Sequence, residues 1–277
     1  MKRFLQLTNF EINRFFKMFM AIVVLTFFIQ ITGTVLSAYN YMRHVNKLVK
    51  SGASQQEIVE QVSSFGLLDV VVSSYFVLPI FVGVTALLFY TFFIWYRDWF
   101  AKSTFIYRLL TLPTARMNVY YAKLTTIMLM TLGLTAFQLV LLLIENKIIQ
   151  LIVPTVYRMD FSIAQVIMNS EYLGAMLPTS FIEFVLYYAL GLIFTIVIFT
   201  AILFERSYKL IGAIIGALYV AMMSVVMIAP FFVHYIIIGT PYLYPMEFFF
   251  LMIGLSLLVM AGSLFMSRYL MNKKVTV

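Results

Sequence analysis

The chain has 277 residues, of which 63% are hydrophobic and only 11% charged, with a mean hydropathy of +0.99. That composition lies outside the range of soluble globular domains and inside that of multi-span membrane proteins. A net charge of +8 could point to nucleic acid, but the basic residues stand singly between apolar runs instead of lining one face, so membrane topology accounts for them and no nucleic-acid partner is expected. Cysteine is absent, which removes disulfides, thiolate metal sites and cysteine nucleophiles, and the only histidines are His44 and His234.

A hydrocarbon core roughly 30 Å thick takes about 20 apolar residues of helix. Six charge-free runs meet that length, at 18–38, 70–94, 124–144, 184–204, 210–232 and 248–266. The expected fold is therefore an all-α polytopic membrane protein, a single transmembrane domain over 1–277. Ahead of the first run, residues 1–17 do not read as a signal peptide, because charges continue to Lys17 and no A-x-A site follows. Phe4, Leu7, Phe15 and Phe19 recur near helical spacing against polar Lys2, Arg3, Asn13, Arg14 and Lys17, which predicts an amphipathic helix at the interface. A plain extension of the first span is the alternative.

An even number of spans puts both termini on one side. Only Arg43, Lys47, Lys50, Lys147 and Arg158 fall on the other, so the terminal side, which holds the remaining Lys and Arg, is expected to be cytoplasmic. In the outer segment 41–66, Ser54 and Glu57 have capping-box spacing before Ile58, Val62 and Phe65, predicting a short helix. The second outer segment, 145–179, carries apolar positions on either side of Pro154 and is expected to fold over the helix ends. The last, between His234 and Glu247, is broken at Gly239, Pro241 and Pro245 and reads as a re-entrant element or a tight loop.

On the cytoplasmic side, 96–123 has room for a separate helix at 103–111 ended by Leu112-Pro113, with Phe105, Leu109 and Leu112 as an apolar ridge, Ile106 and Leu110 beside it, and Arg108 at its edge. Such a helix can lie on the membrane, pack under the bundle, or enter a groove on a soluble partner. Within the spans, Gln30 and Gln138, with Thr26, Thr131 and Thr135, are the polar exceptions and either tie helices together or face a pathway. Gly212 and Gly216 form a GxxxG that permits close helix approach. Glu145, Glu183, Glu247 and Lys123 stand near span ends, where snorkelling to the interface explains them.

Chemistry of the chain's own is missing from the sequence. No glycine is followed by lysine, so there is no phosphate-binding G-x-x-x-x-G-K-[ST] loop, and H-E-x-x-H is absent. The span centres hold no charge, which disfavours an ion-coupled carrier or a channel with a charged ring.

The inner loop carries a resemblance. Its Leu110, Leu112, Pro113, Thr114 and Arg116, followed by Lys123 entering the third span, resemble the Leu-x-Leu-Pro-hydroxyl-x-Arg run and following lysine of type-2 ATP-binding-cassette transporter permeases of the bacterial exporter type. The resemblance implies that the loop helix is a coupling helix, with Phe105, Leu109, Leu110, Leu112 and Pro113 forming the contact with a separate ATPase subunit and Arg108 and Arg116 orienting it. It further implies a second permease subunit, identical or related, ATP and magnesium held by the partner ATPase and no cofactor in this chain. The place would be a bacterial cell membrane, and the substrate an exported drug, antimicrobial peptide, lipid or glycan. A non-transporting immunity or sensor subunit is the alternative, and an intramembrane enzyme a third reading.

Overall fold

A computed structural model describes residues 2–52, 54–100, 115–234 and 243–274. The elements in chain order are α1 (Lys2–Lys50), α2 (Gln55–Val62), β1 (Phe65–Gly66), α3 (Leu67–Val71), α4 (Ser74–Phe100), α5 (Met117–Ile152), β2 (Arg158–Met159), α6 (Ile163–Met168), α7 (Glu171–Met176), α8 (Phe181–Phe232) and α9 (Pro245–Tyr269). Among the described residues, α1, α4, α5, α8 and α9 are long and apolar enough to cross a membrane. They are helical for the reason the sequence suggests: backbone N–H and C=O groups in hydrocarbon have no partners but each other. The protein is thus an all-α, membrane-embedded chain.

Helix α1 is continuous over 49 residues, so 2–17 run without a break into the first apolar stretch. It ends at Ser51-Gly52, where Gly52 adopts φ +87, a left-handed conformation that glycine reaches without steric cost. The second apolar run starts later than expected. Val70 and Val71 belong to the separate helix α3, and α4 begins only at Ser74. Val70 and Val71 are buried in an apolar cluster instead of lying in a span.

The contacts divide into two compact units, one made of 1–12, 88–128 and 188–277, the other of 13–87 and 129–187. In the second unit, the short elements assemble a small core from Phe65, Leu67, Val71, Phe76, Ile149, Val166 and Leu173. β1 and β2 pair in parallel, Phe65 with Arg158 and Gly66 with Met159. The Tyr41 hydroxyl lies 2.9 Å from the Ser63 carbonyl and 3.0 Å from that of Tyr157, and its single proton serves one of them at a time. Tyr172 donates to the Val71 carbonyl, and burial pushes its phenol up to about 12, which keeps it a donor at any physiological pH.

The expected capping box is present: the Glu57 carboxylate accepts from the Ser54 N–H at 2.7 Å, and the Ser54 hydroxyl from the Glu57 N–H at 3.3 Å. Ser162 and Gln165 repeat the device at α6. The Ser54 backbone and hydroxyl donors hold Glu57 below the usual carboxylate range. Its contribution is therefore complete above the unfolded value of about 4.3 and is lost as pH falls through the lowered folded one. Hydrogen exchange of the α2 amides, corrected for intrinsic rate, is expected to accelerate on acidification below about pH 4 in the wild type. In Glu57→Gln, which keeps the acceptor but not the charge, it is expected to stay flat, and parallel acid profiles would refute this account.

In the first unit, α8 folds back on itself. At Lys209 the backbone leaves helical geometry, with φ 55 and ψ -131. A Cβ on Gly212 would come within 2.0 Å of the Phe204 carbonyl oxygen, and one on Gly216 within 2.7 Å of that of Ala201. A straight helix rises about 1.5 Å per residue, which would hold residues 201 and 216 more than 20 Å apart. The two arms are therefore antiparallel neighbours, and the glycines let their backbones touch.

Candidate functional site

The residues that would contact a partner, Phe105, Arg108, Leu109, Leu110, Leu112 and Pro113, lie outside the described residues, but both flanks of that stretch are described. All the contacts that hold them fall within the first unit. On the upstream flank, α4 ends in Tyr96-Arg97-Asp98-Trp99. On the downstream flank, Arg116 directly precedes α5, which brings Lys123 two turns on.

Lys123 is fully buried, and so is Asp98, while Glu11 is 2% exposed. The ammonium of Lys123 donates to Glu11 Oε1 at 2.7 Å, to Asp98 Oδ2, and to the Ile94 carbonyl at 2.9 Å, which uses all three of its N–H donors. Arg97 Nη2 donates to the other Glu11 oxygen at 2.7 Å. Among the described residues, two cations and two carboxylates meet here, a balance of the kind under which buried charge is tolerated. The Trp95 ring lies 5.3 Å from the Lys123 nitrogen and adds a cation–π contact. Three helices, α1, α4 and α5, are joined at this point.

The neighbouring contacts extend the anchorage. Tyr96 donates to Glu205 near the α8 turn, and the Arg206 guanidinium lies 4.9 Å from the Tyr96 ring centre and 5.5 Å from that of Trp99. Arg116 Nη1 donates at 3.0 Å to the carbonyl of Met271, in the last helical turns of the described chain. Carbonyls at a helix C-terminus lack intrahelical donors, so a guanidinium is an apt partner there. Both ends of the stretch 101–114 are consequently tied to the N-terminal helix, the α8 hairpin and the C-terminal helix.

Compared with known protein families, characterised proteins and solved structures, the chain shows no match. Its chemistry is therefore read from the residues alone.

Snorkelling describes two of the four span-end charges and fails for the others. Glu183 and Glu247 are exposed, but Lys123 and Glu145 are wholly buried. Lys123 is paired as above. Glu145 has neither carboxylate oxygen in a hydrogen bond among the described residues; the Thr34 hydroxyl faces it without reaching bonding geometry.

The mid-span glutamines meet in the second unit. Gln138 Nε2 donates to Gln30 Oε1 at 3.2 Å, and Gln30 Nε2 to the Phe76 carbonyl at 2.9 Å. Pro79, inside α4, has no N–H for the carbonyl of Tyr75, next to the Phe76 carbonyl that Gln30 uses. Gln138 also lines, with Thr26, Thr131 and Thr135, a cavity of about 100 Å³ whose other walls are apolar. Drug-sized ligands occupy roughly 300–1,000 Å³, so the arrangement here suits a helix tie better than a substrate chamber.

Sequence reasoning passed over a hydroxyl network in the first unit. Thr200 and Ser267 are 2.8 Å apart, Tyr219 and Ser263 2.6 Å apart, and Ser267 donates to Tyr120 at 3.5 Å. These bonds link both arms of α8 with α9 and α5. The signal was the spacing of Ser256, Ser263 and Ser267, which places all three on one face of α9.

Proposed function

We propose that this chain is the membrane-spanning permease subunit of an ATP-binding-cassette exporter. In this reading the polypeptide crosses the bilayer six times, the two arms of α8 counting separately, with both termini in the cytoplasm of a bacterial cell. The observation that carries the reading is the anchorage of 101–114 at both ends. A loop that passes force from a soluble ATPase to a bundle must itself be fixed to that bundle, or its displacement is absorbed by bending. Asp98 on the upstream flank, and Lys123 and Arg116 on the downstream one, with Glu11 bound to Lys123, supply that fixation to four helices. The Leu110, Leu112, Pro113, Thr114 and Arg116 pattern supports the same assignment from sequence.

In this reading the labour is divided between chains. Phe105, Leu109 and Leu112 present apolar area to a groove on the ATPase, which holds ATP and magnesium. A second permease copy or homologue completes a pathway for a hydrophobic or amphipathic substrate. Placing a carboxylate in the apolar contact by Leu109→Asp is expected to abolish substrate-stimulated ATP hydrolysis in the assembled complex, while the permease remains folded in the membrane. Undiminished stimulation would remove the coupling assignment, and failure of any ATPase to co-isolate with the chain would remove the permease reading.

A further inference from the structure

The last two turns of α1 carry Arg43, Lys47 and Lys50 at a spacing that sets them along one helical face. That face borders a groove of about 900 Å³, whose far wall is made by Leu151 and Ile152 at the end of α5. Every part of it belongs to the second unit. The three cations are exposed, and among the described residues none has a carboxylate within ion-pairing distance. The other two basic residues that the sequence assigns to this side are already engaged, Arg158 with Asp160 at 2.7 Å and Lys147 with Gln150 at 3.0 Å.

Helix polarity accounts for part of this pattern only. Cations in the final turn complement the partial negative charge of a helix C-terminus, which covers Lys47 and Lys50. Arg43 stands two turns from the end, beyond the reach of that effect. The facing wall is also unusual, since Leu151 is 87% exposed. Cations on one wall and bare leucine on the other match an amphiphile whose charged end and apolar end lie side by side.

We propose that this groove binds the phosphate headgroup of an anionic phospholipid of the surrounding bilayer. The Arg43 guanidinium takes two phosphate oxygens in its planar fork, Lys47 and Lys50 add point charges, and the glycerol and first acyl carbons cover Leu151. Positive charge on this face, against the usual topological bias, is then compensated by lipid. The site does not depend on the permease reading and would exist in any protein with this fold.

The test is native mass spectrometry of the purified full-length chain with phosphatidylglycerol, phosphatidylcholine or inorganic phosphate added. Wild-type protein is expected to retain phosphatidylglycerol in preference to phosphatidylcholine. Each of Arg43→Gln, Lys47→Gln and Lys50→Gln is expected to weaken that retention about fivefold. The combined Arg43→Lys, Lys47→Arg and Lys50→Arg variant, which preserves charge, is expected to keep most of it, and circular dichroism would establish that each variant is folded. Equal retention of the two lipids, or undiminished retention in the triple glutamine variant, would overturn the proposal. Displacement of the lipid by stoichiometric inorganic phosphate would overturn the lipid assignment in favour of a free anion.

Discussion

Lys123→Met is expected to destabilise the protein by about 3–5 kcal/mol, the range for removing one partner of a buried ion pair. The methionine fills similar volume, so the loss is electrostatic in origin. It leaves Glu11 and Asp98 facing each other in a site where both are nearly inaccessible to water, with one fewer cation to balance them; Arg97, itself 17% exposed, stays on Glu11. Thermal unfolding in detergent would register the effect as a large fall in midpoint. The decisive comparison is the double variant Lys123→Met, Asp98→Asn. It removes one cation and one carboxylate, leaves Glu11 paired with Arg97, and is expected to recover most of the lost stability, because the charge balance of the buried group is restored. A single variant as stable as wild type, or a double variant no better than the single, would show that the charges are not what holds α1, α4 and α5 together here.

The second large effect is expected at the α8 hairpin. Gly212→Ala would place a methyl group 2.0 Å from one backbone oxygen and 2.7 Å from its carbon, and no side chain can swing aside to make room. The arms must separate, breaking the contact of Phe204 with Tyr219, whose rings lie 5.6 Å apart, and straining the Tyr219–Ser263 hydrogen bond beside it. The expected cost is at or above the usual overpacking range of about 1–3 kcal/mol. Gly191→Ala serves as control, since nothing lies within 4 Å of the added atom. Equal melting points for the two variants would refute the close backbone packing. A change in oligomeric state with unchanged subunit stability would move the glycines to an interface between chains.

The regular parts of this fold were legible because they follow from solvent physics acting locally. Long charge-free runs must be helical in hydrocarbon, and Ser54 with Glu57 marks a helix start whatever surrounds it. The misreadings have a common cause, which is sequence distance. A lysine at the end of a span reads as snorkelling unless its carboxylates are known to come to it, and Glu11 is 112 residues away. Val70 and Val71 extended an apolar run, so nothing local separated them from α4, and their burial is decided by Ile149, Val166 and Leu173 from a later segment. Gln30 and Gln138 were visible as polar exceptions, but that they bond each other is set by how α1 and α5 pack. Of the candidate site, the sequence suggested an apolar ridge, which lies outside the described residues, and singled out the flanking Arg116; the fastening of the flanks was invisible, since it depends on helix ends meeting in space.

The charged junction at Lys123 also imposes an order on biogenesis. Glu11 is made before Arg97 and Asp98, and the ammonium that pairs with both carboxylates emerges only with α5. The junction that joins α1, α4 and α5 is thus complete only once its last contributor has been made. Of the three helices, the last in the chain is the one that closes this contact, and the burial of Glu11 and Asp98 as a charge-balanced group depends on its arrival.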